Sequence, residues 1–304
     1  MSTSSDNVSL VFPDGSERSY APATTALEVA ASIGPGLAKA AVGAELDGVE
    51  IDLRYPLHSG GKFRIFTQRD PECGSFIRHS AEHVMADAVK RLWPEVEIDA
   101  GRRDHSEKFQ YDFRRSDPFS AEDLERIEAK MQEILKEGSV FERVEIEREE
   151  AERLFSERGE TLKVERLKDI PPGETITLYR HGDFSDLCRG PHAQSLGQIG
   201  AVKLLESSSV YWRGDESQEM LQRIYGTAFA TAKELEDYEE KQALARARDH
   251  RRLGPELDPQ LRPGGLVLGV PERVRQVVAR GTVRDHVVEL SGREIHQPNT
   301  RSIS

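Results

Sequence analysis

Cysteine is nearly absent: Cys73 and Cys188, 115 positions apart, are the only two in 304 residues. Two thiols cannot build a disulfide framework, so the chain is unlike small secreted scaffolds and suits a reducing compartment. Long apolar runs are missing as well. Charged residues make up 32% and hydrophobic ones 37%, mean hydropathy is -0.59, and no stretch nears the roughly 18 to 20 apolar residues of a membrane helix. The opening MSTSSDN has no basic start followed by an apolar stretch, so secretion is not expected and the chain reads as cytoplasmic. Positive charge is in short supply too. With 42 Lys and Arg against 54 Asp and Glu the net charge is -12, which argues at first against phosphate binding. The deficit is uneven: residues 241–304 hold 12 Lys and Arg against 7 Asp and Glu, a balance of +5 that leaves -17 on residues 1–240. Such asymmetry implies parts with different partners.

What is present has room for about two domains at 304 residues. Val8 to Phe12 is a β-branched and aromatic run, Pro13-Asp14-Gly15-Ser16 is a turn signal, and Glu17 to Ala21 can return as a hairpin. Thr24 or Thr25 can cap a helix carrying Leu27, Val29 and Ile33, which Gly34-Pro35-Gly36 stops. Strand candidates follow at Lys39 to Val42, Gly48 to Leu53 and Phe63 to Thr67, an order that predicts a compact β-grasp sheet with one helix across it.

A second unit is expected from about Cys73. Ser75 can cap a helix from Phe76 to Trp93, with Ile77, Ala81, Val84, Met85, Ala88 and Leu92 at helical spacing and Pro94 as its end. Ser120 to Asp123 resembles a capping box for a helix whose Leu124, Ile127, Met131 and Leu135 share a face and which Gly138 closes. Thr161 to Tyr211 reads as strand-like and turn-rich, and Met220 to Tyr225 as a further helix. Thr231 to Leu253 is a charged helix with little apolar stripe, the kind that bridges domains. In the last fifty residues one helix candidate stands near Val274 to Leu290.

His79 and His83 are four apart and share a helix face, which the periodicity directs away from the apolar stripe. Cys188 and His192 are also four apart, but Gly190 and Pro191 make their segment a turn, so a loop would present them. One thiolate and three neutral imidazoles form a sensible tetrahedral zinc set; the same residues serve equally well in a metal-free hydrolytic pocket. The His-Glu-x-x-His pattern of zinc proteases is absent, since the pair reads His79-Ser80-Ala81-Glu82-His83. Phe109-Gln110-Tyr111-Asp112-Phe113, flanked by Arg102, Arg103, Lys108, Arg114 and Arg115, reads either as a nucleic-acid edge or as an ordinary strand. Tyr211-Trp212 could stack a base or fill a core, and Arg246, Arg248, Arg251 and Arg252 form a basic run.

Arg78 to His83 (RHSAEH), Ser185 to His192 (SDLCRGPH), Tyr211 to Asp215 (YWRGD), Met220 to Gly226 (MLQRIYG) and Arg248 to Gly254 (RDHRRLG) together resemble the N-terminal half of threonyl-tRNA synthetases. The resemblance implies an α+β architecture: a ubiquitin-like β-grasp TGS domain at residues 1–67, an α+β tRNA editing domain at 73–230, a linker helix at 231–254, and an incomplete start of a class II catalytic domain at 255–304. In that family the editing domain hydrolyses serine wrongly attached to the threonine tRNA. A synthetic pocket gains only roughly 1 to 3 kcal/mol from the methyl that serine lacks, so a second site must reverse the sieve.

Carried over by position, His79, His83, Cys188 and His192 would line the editing pocket. Asp186 would orient the seryl amine or hydroxyl, and Lys163 would orient water or balance charge. Tyr111, Arg189, Tyr211 and Trp212 would bind substrate. Where the family commonly has Phe-Tyr-Tyr-Asp, this chain has Phe109-Gln110-Tyr111-Asp112, which leaves only Tyr111 of the pair. The expected partner is tRNA(Thr) charged with serine; a homodimer or association with a full-length synthetase is also implied, and a membrane is not. Zinc at the four-residue set is possible but not required for editing, and ATP is not expected to be used. Residues 265–300 faintly resemble the opening of the class II catalytic domain, with Pro298 as the proline of its first motif, so ATP-dependent threonylation is expected to be lost. Two other readings stay open: a non-catalytic RNA-binding or regulatory fragment, and a zinc hydrolase acting on another ester or amide.

Overall fold

The computed structural model describes residues 7–247. The readings made on residues 255–304, the helix candidate at Val274 to Leu290, and Arg248, Arg251 and Arg252 lie outside the described residues.

The N-terminal hairpin forms as its turn chemistry dictates. Strand β1 (Val8–Val11) pairs antiparallel with β2 (Glu17–Tyr20), and Asp14 closes the turn by accepting from the Ser16 backbone N–H at 2.9 Å. Helix α1 (Ala26–Ile33) starts at Thr25, whose hydroxyl accepts from the Glu28 N–H while the Glu28 carboxylate accepts from the Thr25 N–H at 2.7 Å. Gly34 ends it, and Pro35 at once opens a short helix α2 (Pro35–Ala40). The strand expected from Lys39 therefore begins later, as β3 (Ala41–Leu46).

Asp47-Gly48, both at positive φ, turns β3 into β4 (Val49–Ile51). Strand β5 (Gly61–Thr67) then inserts between β1 and β3, parallel to the former, for the order β2-β1-β5-β3-β4. This is the expected β-grasp sheet, and Leu10, Val29, Leu53, Leu57 and Phe63 fill its core.

Helix α3 (Cys73–Leu92) begins three residues before the expected start, and its cap position is Glu72, without a side-chain cap bond. Ser75 lies inside the helix and donates instead to Glu50 at 2.7 Å. Strands β6 (Glu97–Gly101) and β7 (Phe109–Arg114) follow, then α4 (Ala121–Glu137), which Ser120 and Asp123 cap reciprocally and Gly138 ends at φ 67. Strand β8 (Glu142–Ile146) leads to α5 (Arg148–Glu157) and α6 (Thr161–Lys168). The stretch expected to turn strand-like at Thr161 thus opens with a helix. Strands β9 (Ile176–His181), β10 (Phe184–Leu187), β11 (Ala201–Tyr211) and β12 (Met220–Phe229) complete two antiparallel sheets, β10-β9-β8 and β11-β12-β7-β6.

The helix expected over Met220 to Tyr225 is β12. Leu221 and Ile224 mimic a helical spacing, but the segment pairs with β11 on one side and β7 on the other, and Ile224, Tyr225, Thr227 and Phe229 suit a pleated strand. The aromatics of the Phe109 to Phe113 run belong to the core, where Phe109 and Phe113 are fully buried against α3. Gly226 makes that packing possible, because a Cβ there would run into the Phe109 ring. Gly226→Ala is expected to destabilise the chain by about 1–3 kcal/mol, read as a lower urea-unfolding midpoint. The charged helix α7 (Ala232–Ala247) has no buried residue, in keeping with its lack of an apolar stripe. Among the described residues no helix is long and apolar enough to cross a membrane.

Candidate active site

Helix α3 is buried on every side along its middle, so the face carrying His79 and His83 looks into a polar cavity and not into solvent. The loop after β10 brings Cys188 and His192 to the same face. Gly190 makes the approach possible: it adopts φ +72, and a Cβ there would strike the Tyr179 hydroxyl. The ligating atoms of His79, His83, Cys188 and His192 all lie within 4.8 Å of one another.

The hydrogen bonds among them fix a direction. The Ala193 N–H donates to Ser80 Oγ at 2.9 Å, which leaves the Ser80 hydroxyl proton for His192 Nδ1 at 3.3 Å. His192 Nε2 then carries the proton and faces Cys188 Sγ at 3.3 Å. At the other end His79 Nδ1 lies 2.9 Å from the Pro191 carbonyl and must donate to it, so His79 Nε2, 3.2 Å from Cys188 Sγ, accepts the thiol proton. Burial pushes the Cys188 thiol far up, pulls His79 down to about 4 and holds His83 and His192 well below the usual histidine range. The set is a thiol among neutral imidazoles. His83 Nδ1 is buried with no hydrogen-bond partner among the described residues.

A second polar group adjoins it. Lys163 on α6 stands 2.8 Å from both oxygens of Asp186 on β10 and 3.3 Å from the hydroxyl of Tyr111 on β7, which itself donates to Asp186. Lys163 and Asp186 are buried, at 3% and 2% side-chain exposure. His79, Glu82, His83, Tyr111, Lys163 and Cys188 line one cleft of about 780 Å³, edged by Arg102, Arg103, Arg166 and Arg189. His192 and Asp186 stand behind this lining and orient what faces the cleft. Tyr211 and Trp212 lie at the end of β11 and do not reach it; their neighbour Arg213 binds Asp169, a residue of the cleft edge, at 3.0 Å.

Sequence reasoning missed a buried pair, Glu82 and His105. Glu82 accepts from the backbone N–H groups of Arg102 at 2.9 Å and Gln110 at 3.2 Å, and lies 3.2 Å from His105 Nε2. Burial pushes Glu82 up to about 7 and pulls His105 down to about 4. The only signal in the sequence is an acidic residue between two histidines on one helix. The four-residue set nevertheless suits zinc chemically, with one soft sulfur, three imidazoles and an unpartnered His83 nitrogen.

His181 is another buried imidazole the sequence did not single out. It is 1% exposed between Phe141 and Phe184, and neither ring nitrogen has a hydrogen-bond partner among the described residues. Burial, with the Arg91 charge nearby, pulls it from 6.5 down to about 4. Between these values the unfolded chain binds more protons than the folded one. The corresponding stability is therefore present above pH 6.5 and lost as pH falls towards 4. His181→Leu removes this dependence. On going from about pH 7 to about pH 5 the parent is expected to lose about 2 kcal/mol more stability than the variant, read from urea-unfolding midpoints.

Comparison with known proteins places the chain. The TGS domain family model matches residues 8–67, and that of the threonyl and alanyl tRNA synthetase second additional domain matches residues 176–225. A threonine–tRNA ligase of Pelobacter propionicus is 49% identical over 252 residues, covering 83% of this chain and 39% of the relative. That of Myxococcus xanthus is 49% identical over 257 residues, with 84% and 40% covered, and that of a Geobacillus species 42% identical over 305 residues, with 98% and 47% covered. The chain thus spans less than half the length of each of these relatives. Carrying both domains in that order, and matching these ligases over 83% to 98% of its own length, the chain belongs to the threonine–tRNA ligase family and corresponds to the N-terminal part of its members.

Proposed function

We propose that this chain hydrolyses the ester of seryl-tRNA(Thr), a tRNA-editing reaction of the cytoplasm. One observation carries the reading: neutral imidazoles and a buried ammonium converge on a single cleft with arginines at its edge. The partner is the acylated end of a tRNA. Arg102, Arg103 and Arg189 supply positive charge for its phosphates on an otherwise acidic protein, and the acylated adenosine enters the cleft.

Water attacks the ester carbonyl. Neutral His83, which lines the cleft, is the group at hand to hold that water and take up its proton, because both ring nitrogens of the adjacent His79 are engaged, Nδ1 with the Pro191 carbonyl and Nε2 with the Cys188 thiol. The Lys163 ammonium, fixed by Asp186, provides positive charge where the carbonyl oxygen becomes negative, and the Tyr111 hydroxyl, which donates to Asp186 and accepts from Lys163, holds that pair in place. The carbon–oxygen bond to the ribose breaks, and the ribose oxygen leaves with a proton. Cys188 is not the nucleophile, because its buried thiol stays protonated and donates to His79. The same four side chains, His79, His83, Cys188 and His192, would hold zinc, which when bound would supply a Lewis acid.

The test is release of serine from seryl-tRNA(Thr), with threonyl-tRNA(Thr) as control. Serine is expected to be released preferentially. Equal release of both amino acids would overturn the seryl specificity, and absent release, together with RNA binding that survives loss of both histidines, would favour a non-catalytic RNA-binding module.

A further inference from the structure

The residues that hold His192 include two from the β-grasp unit. The segment after β4 carries Asp52 and Arg54 to the back of the Cys188 to His192 loop, on the side away from the cleft. Asp52 caps its own turn by accepting from the Arg54 N–H at 2.8 Å, which fixes the backbone from which the Arg54 side chain reaches across, and its buried carboxylate lies near the His192 backbone and Tyr179. Arg54 donates to the backbone carbonyl of Phe141.

Tyr179 and Phe141 are the walls of His192. The Phe141 ring stacks on the imidazole at 5.0 Å and 7°, and the Tyr179 ring lies 4.4 Å from it. A further link follows two residues on, where Gln194 Nε2 donates to the Ala41 carbonyl at 2.6 Å and to that of Ala38 at 3.1 Å. His192 is thus held from the β-grasp unit through its stacked neighbour Phe141 and through the chain just beyond it. Its Nε2 in turn orients Cys188, and Cys188 orients His79.

We propose that Asp52 and Arg54 are positioning residues for the His192–Cys188–His79 network, so that the β-grasp unit sets the geometry of hydrolysis as well as any contact with RNA. The kinetic part of this proposal rests on the hydrolytic reading above; the placement of His192 does not.

The test uses the full chain labelled with 15N-histidine, and Asp52→Ala, Asp52→Asn and Tyr179→Phe. In Asp52→Ala the His192 ring resonances are expected to shift. Seryl-tRNA(Thr) hydrolysis is expected to lose on the order of 10- to 100-fold in kcat with KM little changed. Asp52→Asn keeps an acceptor for the Arg54 N–H and is expected to recover most of both, while Tyr179→Phe falls between. Unshifted His192 resonances in folded Asp52→Ala, or a loss confined to KM, overturn the proposal. If the parent chain does not hydrolyse seryl-tRNA, the hydrolytic reading fails alone, and the resonances still decide the placement. Should Asp52→Ala not fold, Asp52→Asn and Tyr179→Phe carry the same comparison, and unshifted resonances in both overturn it.

Discussion

Lys163→Met is expected to abolish seryl-tRNA(Thr) hydrolysis and to destabilise the chain by about 3–5 kcal/mol, because it strands a buried carboxylate. Asp186 would keep only the Tyr111 hydroxyl and the Leu187 N–H, at 2.7 Å, as donors to its carboxylate. The two effects separate in a second variant. Lys163→Met with Asp186→Leu removes both charges and is expected to regain most of the lost stability, since an apolar pair of similar volume replaces a buried ion pair at little cost. It is not expected to regain hydrolysis, because the ammonium that meets the developing oxyanion is gone. Urea unfolding and a deacylation assay on the same preparations check both halves. Hydrolysis at the parent rate in either variant would remove Lys163 from the reaction.

His79→Ala with His83→Ala is expected to lower kcat for serine release by at least about 100-fold, the usual worth of a positioned proton acceptor. Binding of uncharged tRNA(Thr) should hardly change, since the arginines at the cleft edge remain. The fold should tolerate the change, because the cavity left is polar and water can fill it. Metal analysis and chelation complete the experiment. Activity that survives chelation assigns proton transfer to the imidazoles themselves, whereas one bound zinc per chain and loss of activity on chelation would assign the four side chains to a metal.

The β-grasp unit was legible because its signals are local. The turn at Asp14, the capping box at Thr25 and Glu28, and the Asp47-Gly48 turn each act within four residues. The second unit was less so. Helix α4 announced itself through Ser120, Asp123 and Gly138, but β12 carried Leu221 and Ile224 at a spacing that fits helix as well as strand, and only pairing with β11 and β7 decided it. Ser75 looked like a cap and became a helical residue bonded to Glu50. In the site, His79, His83, Cys188 and His192 were recognisable by residue type and spacing. Glu82, His105, Ser80 and Asp52 were not: Ser80 and Glu82 adjoin His79 and His83 in the chain, but the imidazoles they bond, His192 and His105, are 112 and 23 residues away, and nothing near His105 or Asp52 marks either as part of the site.

By itself the sequence determined the order of the elements with strong local codes, the pairing of two four-residue histidine motifs, and the resemblance to one family. Those follow from side-chain chemistry and short spacings. Only the tertiary structure decided the state of these groups. Contacts such as Cys188 to His79, 109 residues apart, and Arg54 to Phe141, 87 apart, bring the groups together. Withdrawal from water then keeps the imidazoles neutral and the thiol protonated, an energy that depends on what surrounds a group in space and not on what precedes it in the chain.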